Sequence, residues 1–477
     1  MEIIKKILKQ HSYSLLRHDF YSKQAQEPLN NPFLIHINKI LLDELGLSKE
    51  SYEDLMLIFN GTIQIPNIQA VSMNYAGHQF GQYVQQLGDG RGILLGEIEA
   101  KNKYLDIHVK GSGKTPYSRF GDGRAVLRSS LREYLCGEAM HGLGIPSSRS
   151  LMIFGSNDVV YREKSETAAM IVRTAKTHVR FGSFEKFFYD GLFDRHKELC
   201  DYVISQYLPD KEKSNKKYSY LLESIVIKTA SLIANWQSVG FCHGVMNTDN
   251  MSILGETLDY GPFGFMDNFN PSHICNLSDT SGRYSYQNQP YVGMWNCTAL
   301  ANTFKHLINK EEIAKIMSVY EKTYAKRLFA LYKNKLGLKE NRNTDEALVQ
   351  ELLNVMEVQK LDFTRTFRSL SNILKTNNSI KVDDSLKSWS QKFKERHDIE
   401  IADIDSRITQ MNEMNPKFIL RNYMLQNAID QAEEGSYKEI DILMKLITKP
   451  YEENLEYERY SEESPEWAKS LGLSCSS

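Results

Sequence analysis

The chain has 477 residues, 41% hydrophobic and 25% charged, the proportions of a soluble globular protein of two or three domains or of one bilobal enzyme. Its 58 basic and 60 acidic residues leave a net charge of −2, which gives no reason to expect nucleic acid or an anionic membrane as a partner. No apolar run is long enough to span a membrane, and Met1-Glu2-Ile3-Ile4-Lys5-Lys6 lacks the apolar stretch of a secretion signal, so a cytoplasmic protein, and a monomer, is expected.

Residues 1–60 read as helical and mixed, with Leu41, Leu42, Leu45 and Leu47 around a turn at Gly46. Between about 70 and 180 glycine becomes dense and β-type runs appear at 93–98, 105–110 and 170–173. Apolar and polar residues alternate across 105–110, the pattern of a half-buried strand. A helix is expected over 125–141, where Leu127, Leu131, Leu135 and Ala139 recur every fourth residue. From about 215 the pattern is helical, over 219–239, 298–337, 345–375 and 416–446, with polar connections at 210–217 and 339–344. The expected fold class is α+β: an N-terminal extension and sheet-rich nucleotide-binding lobe over 1–190, then a mostly helical lobe over 191–477. That is the layout of a bilobal protein-kinase-like fold.

The chemistry concentrates in Cys242-His243-Gly244-Val245-Met246-Asn247-Thr248-Asp249-Asn250 and in Asp259-Tyr260-Gly261. Small-molecule kinases place a catalytic Asp directly after His-Gly; here that position is Val245, which cannot accept a proton. Asn250 and Asp259 supply the oxygen ligands that Mg²⁺ prefers beside phosphates. Upstream, Lys110 closes the 105–110 strand and Glu133 lies in the next helix, the spacing by which kinases hold a phosphate-binding lysine. The glycine-rich segments Tyr75–Gly81 and Leu87–Gly92, the latter containing Gly88, Gly90 and Arg91, read on their own as tight β-turns, although both could bring amides to phosphate. The turn Asp122-Gly123-Arg124, between Lys110 and Glu133, could present amides and charge to phosphate. Arg173 and Arg180 suit either a polyphosphate clamp or a solvated basic loop.

Taken together these segments resemble the selenoprotein O family, kinase-fold protein adenylyltransferases. Matching stretches include Tyr75–Gly81, Leu87–Arg91, Lys110–Glu138, Arg173–Glu185, His243–Gly261, Asp362–Leu370, Asn415–Ile429 and the Cys475-Ser476-Ser477 tail. The resemblance implies ATP bound in reversed orientation, AMP transferred to hydroxyl side chains of protein substrates, and pyrophosphate released. It implies nucleotide contacts from Gly88, Gly90, Arg91, Lys110, Asp122, Gly123, Arg173, Arg180 and Asp259. Asn250 and Asp259 would hold Mg²⁺ or Mn²⁺, Asp249 would be the proton acceptor, and Glu133 would pair with Lys110. Transfer of UMP, ordinary γ-phosphate transfer and a silent nucleotide-binding scaffold are the alternative readings; two retained metal ligands argue against the scaffold, and Val245 against the kinase.

The six cysteines are scattered singly, without the paired spacing of a zinc site. Members of the resembled family that contain selenium carry selenocysteine where this chain has Cys475. Residues 470–474 offer little anchorage, so Cys475 is expected to reach a partner. Cys275 is the expected partner, on a polar segment read as accessible, while Cys136 and Cys242 are read as packed away. A Cys275–Cys475 disulfide would tether the tail across the approach of protein substrates and lower activity under oxidation.

Overall fold

The alternation at 105–110 belongs to a strand that presents apolar side chains on one face and titratable ones on the other. The computed structural model describes residues 2–101, 103–375, 384–400 and 403–474. In it, strands Gly92–Ala100, Lys103–Lys110, Ser165–Ala175 and Arg149–Tyr161 lie side by side in a nine-stranded sheet. Tyr21–Lys23 and Val71–Met73 extend one side, Phe33–Ile37 closes the other, and every pairing is antiparallel. Ile107, Val109 and Val172 join an apolar layer with Leu41, Leu55 and Phe59 of the N-terminal helices. By the two-residue period, Asp106, His108, Lys110 and Arg173 project from the opposite face. Register sets Arg173 opposite His108 and Gly92 opposite Lys110.

The strand Arg149–Tyr161 was not expected; its apolar quartet Leu151-Met152-Ile153-Phe154 is fully buried between two neighbouring strands and so carries no alternation. The expected helix runs Leu127–Gly142, because Ala125–Val126 are held as a short strand against Ser165–Ala175. Leu131 and Leu135 of this helix share one core with Ile225 and Trp236 of the helix Lys217–Ser238 and with Leu425 of the helix Asn422–Glu433. The helical stretch expected over 298–337 is three helices, Gln289–Thr303, Lys310–Met317 and Val319–Lys335. The second begins where Asn309 accepts the Glu312 amide at 2.9 Å, a side-chain cap that ends the preceding continuity. The architecture is mixed α/β, a large antiparallel sheet followed by helices. Among the described residues no helix is long and apolar enough to cross a membrane.

Candidate active site

The titratable face of the sheet forms one wall of a cavity of about 610 Å³. The sequence-predicted residues Gly88, Gly90, Arg91, Lys110, Asp122, Gly123, Arg173, Arg180, Asp249, Asn250 and Asp259 all line it. Glu133 stands behind the wall, its carboxylate shared by two cations: Lys110 donates to Oε2 and Arg173 to Oε1 at 2.5 Å. Arg173 also donates to Asp259 Oδ1 at 2.7 Å, and Arg180 to Asp259 Oδ2. Lys110, Glu133, Arg173, Asp259 and Arg180 thus form a continuous ladder of alternating charge. Both arginines are buried, which removes the reading of a solvated basic loop. Burial alone would raise the Asp259 carboxyl, but Arg180 and Arg173 hold it well below the usual carboxylate range. Its backbone sits at φ +55°, a conformation few residues other than Gly, Asn and Asp adopt.

His108 steadies the ladder from below. Burial and the adjacent Arg173 lower its pKa to about 3, so the ring is neutral and its Nδ1 accepts from Arg173 Nη2 at 3.1 Å. The glycine segments differ from one another. Gly88 and Gly90 pack so closely on Tyr117 that a Cβ would lie 2.5 Å from its ring at Gly88 and 2.8 Å from its carbonyl at Gly90. Asp122 is gripped by Arg162 through two bonds of 2.8 and 2.9 Å, and the backbone of Gly123 lies against that of Gly113. Arg91 has no carboxylate partner among the described residues.

The loop after His243 builds the opposite wall. His243 donates from Nε2 to the Leu258 carbonyl at 3.0 Å and accepts the Val245 amide at Nδ1. This fixes Val245 at the cavity edge. Asn250 donates its amide to the Val245 carbonyl at 3.0 Å, which directs its own carbonyl oxygen away from that bond. Asp249 lies against Arg180, which donates to its backbone carbonyl at 2.7 Å. Burial pushes the Asp249 carboxyl up to about 7 in spite of that guanidinium. Its Oδ1 is buried with no hydrogen-bond partner, while Oδ2 accepts from Gln79 Nε2 at 3.2 Å.

Gln79 belongs to a hairpin, Gly77–Gln79 paired with Gln82–Val84, which is where the structure puts the first glycine-rich segment. The turn residues Phe80 and Gly81 both have positive φ, +50° and +84°, as a tight two-residue hairpin turn requires. The turn reading therefore holds here, and the hairpin faces the 247–249 loop at the edge of the cavity. Sequence reasoning missed Gln79, His108 and Arg162. The first sits in a segment read only for its glycines, the second was one polar place in an alternating strand, and the third lies in a turn with no distinguishing spacing.

Cys275 corrects an expectation: it is buried, its Sγ 3.5 Å from the Cys242 carbonyl and its side chain turned in against Gly244 and Gly264. Its polar neighbours suggested exposure, but the close approach permitted by two glycines draws the thiol inward. Cys475 lies outside the described residues. The segment before it is docked, with the Leu473 carbonyl accepting the Leu277 amide at 2.7 Å.

Comparison with known proteins places the chain. The model of the protein adenylyltransferase SelO family matches residues 5–448. The chain belongs to this family of protein nucleotidyltransferases. The protein nucleotidyltransferase YdiU of Aliivibrio salmonicida is 45% identical over 473 residues, covering 98% of each chain. Proteins of the same name from Vibrio parahaemolyticus and Photobacterium profundum are 43% and 42% identical and aligned over the full length of both chains.

Proposed function

We propose that the protein transfers AMP from ATP to hydroxyl side chains of protein substrates with release of pyrophosphate, on a bilobal kinase-like fold divided near residue 190. The observation that carries this reading is the separation of the cavity into two walls. Lys110, Arg173 and Arg180 gather on one, while the position of the kinase base is the inert Val245 and, among the described residues lining the cavity, the carboxylate with a buried unpartnered oxygen is that of Asp249. Cations held before substrate arrives suit the charge that develops on a pyrophosphate leaving group. The Asp249 carboxylate would take the acceptor hydroxyl proton.

The residues fit a divalent cation. Asn250 keeps its carbonyl oxygen free of the Val245 bond, and the Asp259 carboxylate has lone pairs beyond those used by two arginines. Mg²⁺ or Mn²⁺ bound there would neutralise phosphate charge. The rest of the neutralisation falls to the three cationic side chains. Tail regulation is part of the proposal and requires the buried Cys275 thiol to turn outward: Leu473 is bonded to Leu277, so the chain two residues before Cys475 meets the chain two residues after Cys275. Two thiols would lose two electrons and two protons to a disulfide oxidant such as glutathione disulfide. Peptide mapping after oxidation tests the pairing, and an unpaired Cys475 would remove it. Intact-mass measurement of a protein acceptor after incubation with ATP and Mg²⁺ tests the reaction, since adenylyl and phosphoryl adducts differ plainly in mass. A parallel incubation with UTP reads nucleotide preference. A phosphoryl adduct alone would overturn the proposal.

A further inference from the structure

Three consecutive residues of the hairpin grasp three consecutive residues of the loop that carries the proposed base. The His78 amide donates to Thr248 Oγ1 at 2.6 Å, Gln79 Nε2 to Asp249 Oδ2 at 3.2 Å, and the Phe80 amide to Asn247 Oδ1 at 3.2 Å. The grip is reinforced from behind. Glu185 accepts from Thr248 Oγ1 at 2.6 Å and lies 2.9 Å from His78 Nδ1, and Tyr284 donates to Asn247 Oδ1 at 2.6 Å. Gly77 completes the fit, because a Cβ there would fall 2.7 Å from Asp249 Oδ1.

The geometry points to Gln79 as a positioning residue for the transfer step: its bond to Oδ2 sets the orientation of the Asp249 carboxylate that takes the acceptor hydroxyl proton. The inference rests on the reading of Asp249 as the base. A carboxylate can only accept, so the Gln79 amide must turn its NH₂ toward it, and the side chain cannot serve as the acceptor of the proton. Oδ1 is left with no donor and is packed against Gly77, where a side chain would collide with it. A bond on one oxygen opposes rotation of the carboxylate, which keeps the base oriented toward its target. Gln79 lines the cavity but hydrogen-bonds neither the ladder of Lys110, Glu133, Arg173 and Asp259 nor Asn250, so its loss should leave ATP affinity nearly unchanged.

The test is a double-mutant cycle on the full chain, with Gln79→Met, Asp249→Asn and the pair, measuring ATP dissociation constant, melting temperature and kcat for transfer. Gln79→Met keeps length and removes the donor; Gln79→Asn keeps the donor but shortens its reach and serves as the second variant if the first melts early. The expected result is a loss of about tenfold in kcat for Gln79→Met with unchanged ATP affinity, and no further loss when it is added to Asp249→Asn. Full additivity of the two losses, or a loss confined to ATP affinity or to melting temperature, would make the hairpin structural and overturn the inference. Wild-type transfer by Asp249→Asn would instead remove the base assignment itself, so the two failures are distinguishable.

Discussion

The two walls of the cavity treat their carboxylates in opposite ways. Asp259 is held by two buried arginines and stays ionised far below the usual range. Asp249, one short loop away, is the more buried of the two, and the nearest guanidinium spends its bond on the backbone carbonyl rather than on the carboxylate. Its acidity is therefore set by desolvation, and it rises to about 7. A carboxylate clamped by cations makes a fixed ligand and a poor base; one left with a bare oxygen and a raised pKa can take up a proton near neutrality. The lesson is that the chain divides binding from proton transfer both by where it aims Arg180 and by burying Asp249 more deeply than Asp259.

The largest effect should come from Asp259. Replacing it with Ala leaves Arg173 and Arg180 without their shared partner and removes one of two candidate metal oxygens, so transfer and metal-dependent nucleotide binding should both be lost. Asp259→Asn, which tolerates the positive φ, controls for backbone strain. Retained activity in both variants would erase the distinction between the walls. Asp249→Asn should act on the other side of it: turnover falls roughly 10²–10⁴-fold while ATP binding stays nearly intact. If binding collapses together with turnover, Asp249 belongs with the ligands. Lys110→Ala and Arg180→Ala should each cost ~10²-fold in transfer, as expected for removal of a preorganised charge from a leaving group. Arg180 touches both walls, so its loss should appear in ATP affinity and turnover alike; steady-state kinetics with both substrates varied would show it.

How much of this was legible in the sequence varies with the kind of contact. The Lys110–Glu133 pairing was readable because a strand lysine followed by a carboxylate on the next helix has the spacing of the kinase phosphate-binding pair, and the two side chains are in contact. Arg173 and Arg180 were visible as cations but not as buried ones, since their burial depends on Asp259 arriving from another part of the chain. The hairpin at Gly77–Val84 was seen as a turn, yet its docking on residues 247–249 is a long-range contact that no local pattern encodes. Arg149–Tyr161 hid because a strand flanked on both sides loses its alternation. Cys275 was misread because its neighbours are polar; the two glycines that let it turn inward lie elsewhere in the sequence.

The smallest expected effect sharpens the comparison without changing a residue. With its folded pKa at about 7, Asp249 is mostly protonated at pH 6 and mostly ionised at pH 8. A base must be ionised to accept a proton, so turnover at saturating ATP and metal should fall about tenfold from pH 8 to pH 6. The groups that face it set the direction: burial raises the pKa, Asp259 raises it further, and Arg180 and the Gln79 bond lower it without overcoming burial. Asp259 stays ionised throughout this range because its pKa lies far below it. ATP affinity should therefore show no matching step between pH 6 and pH 8. Initial rates and equilibrium binding measured on the same samples across that range decide the matter. A step in binding that tracks the step in rate would mean that both carboxylates titrate as one unit, and the two walls would no longer be separable.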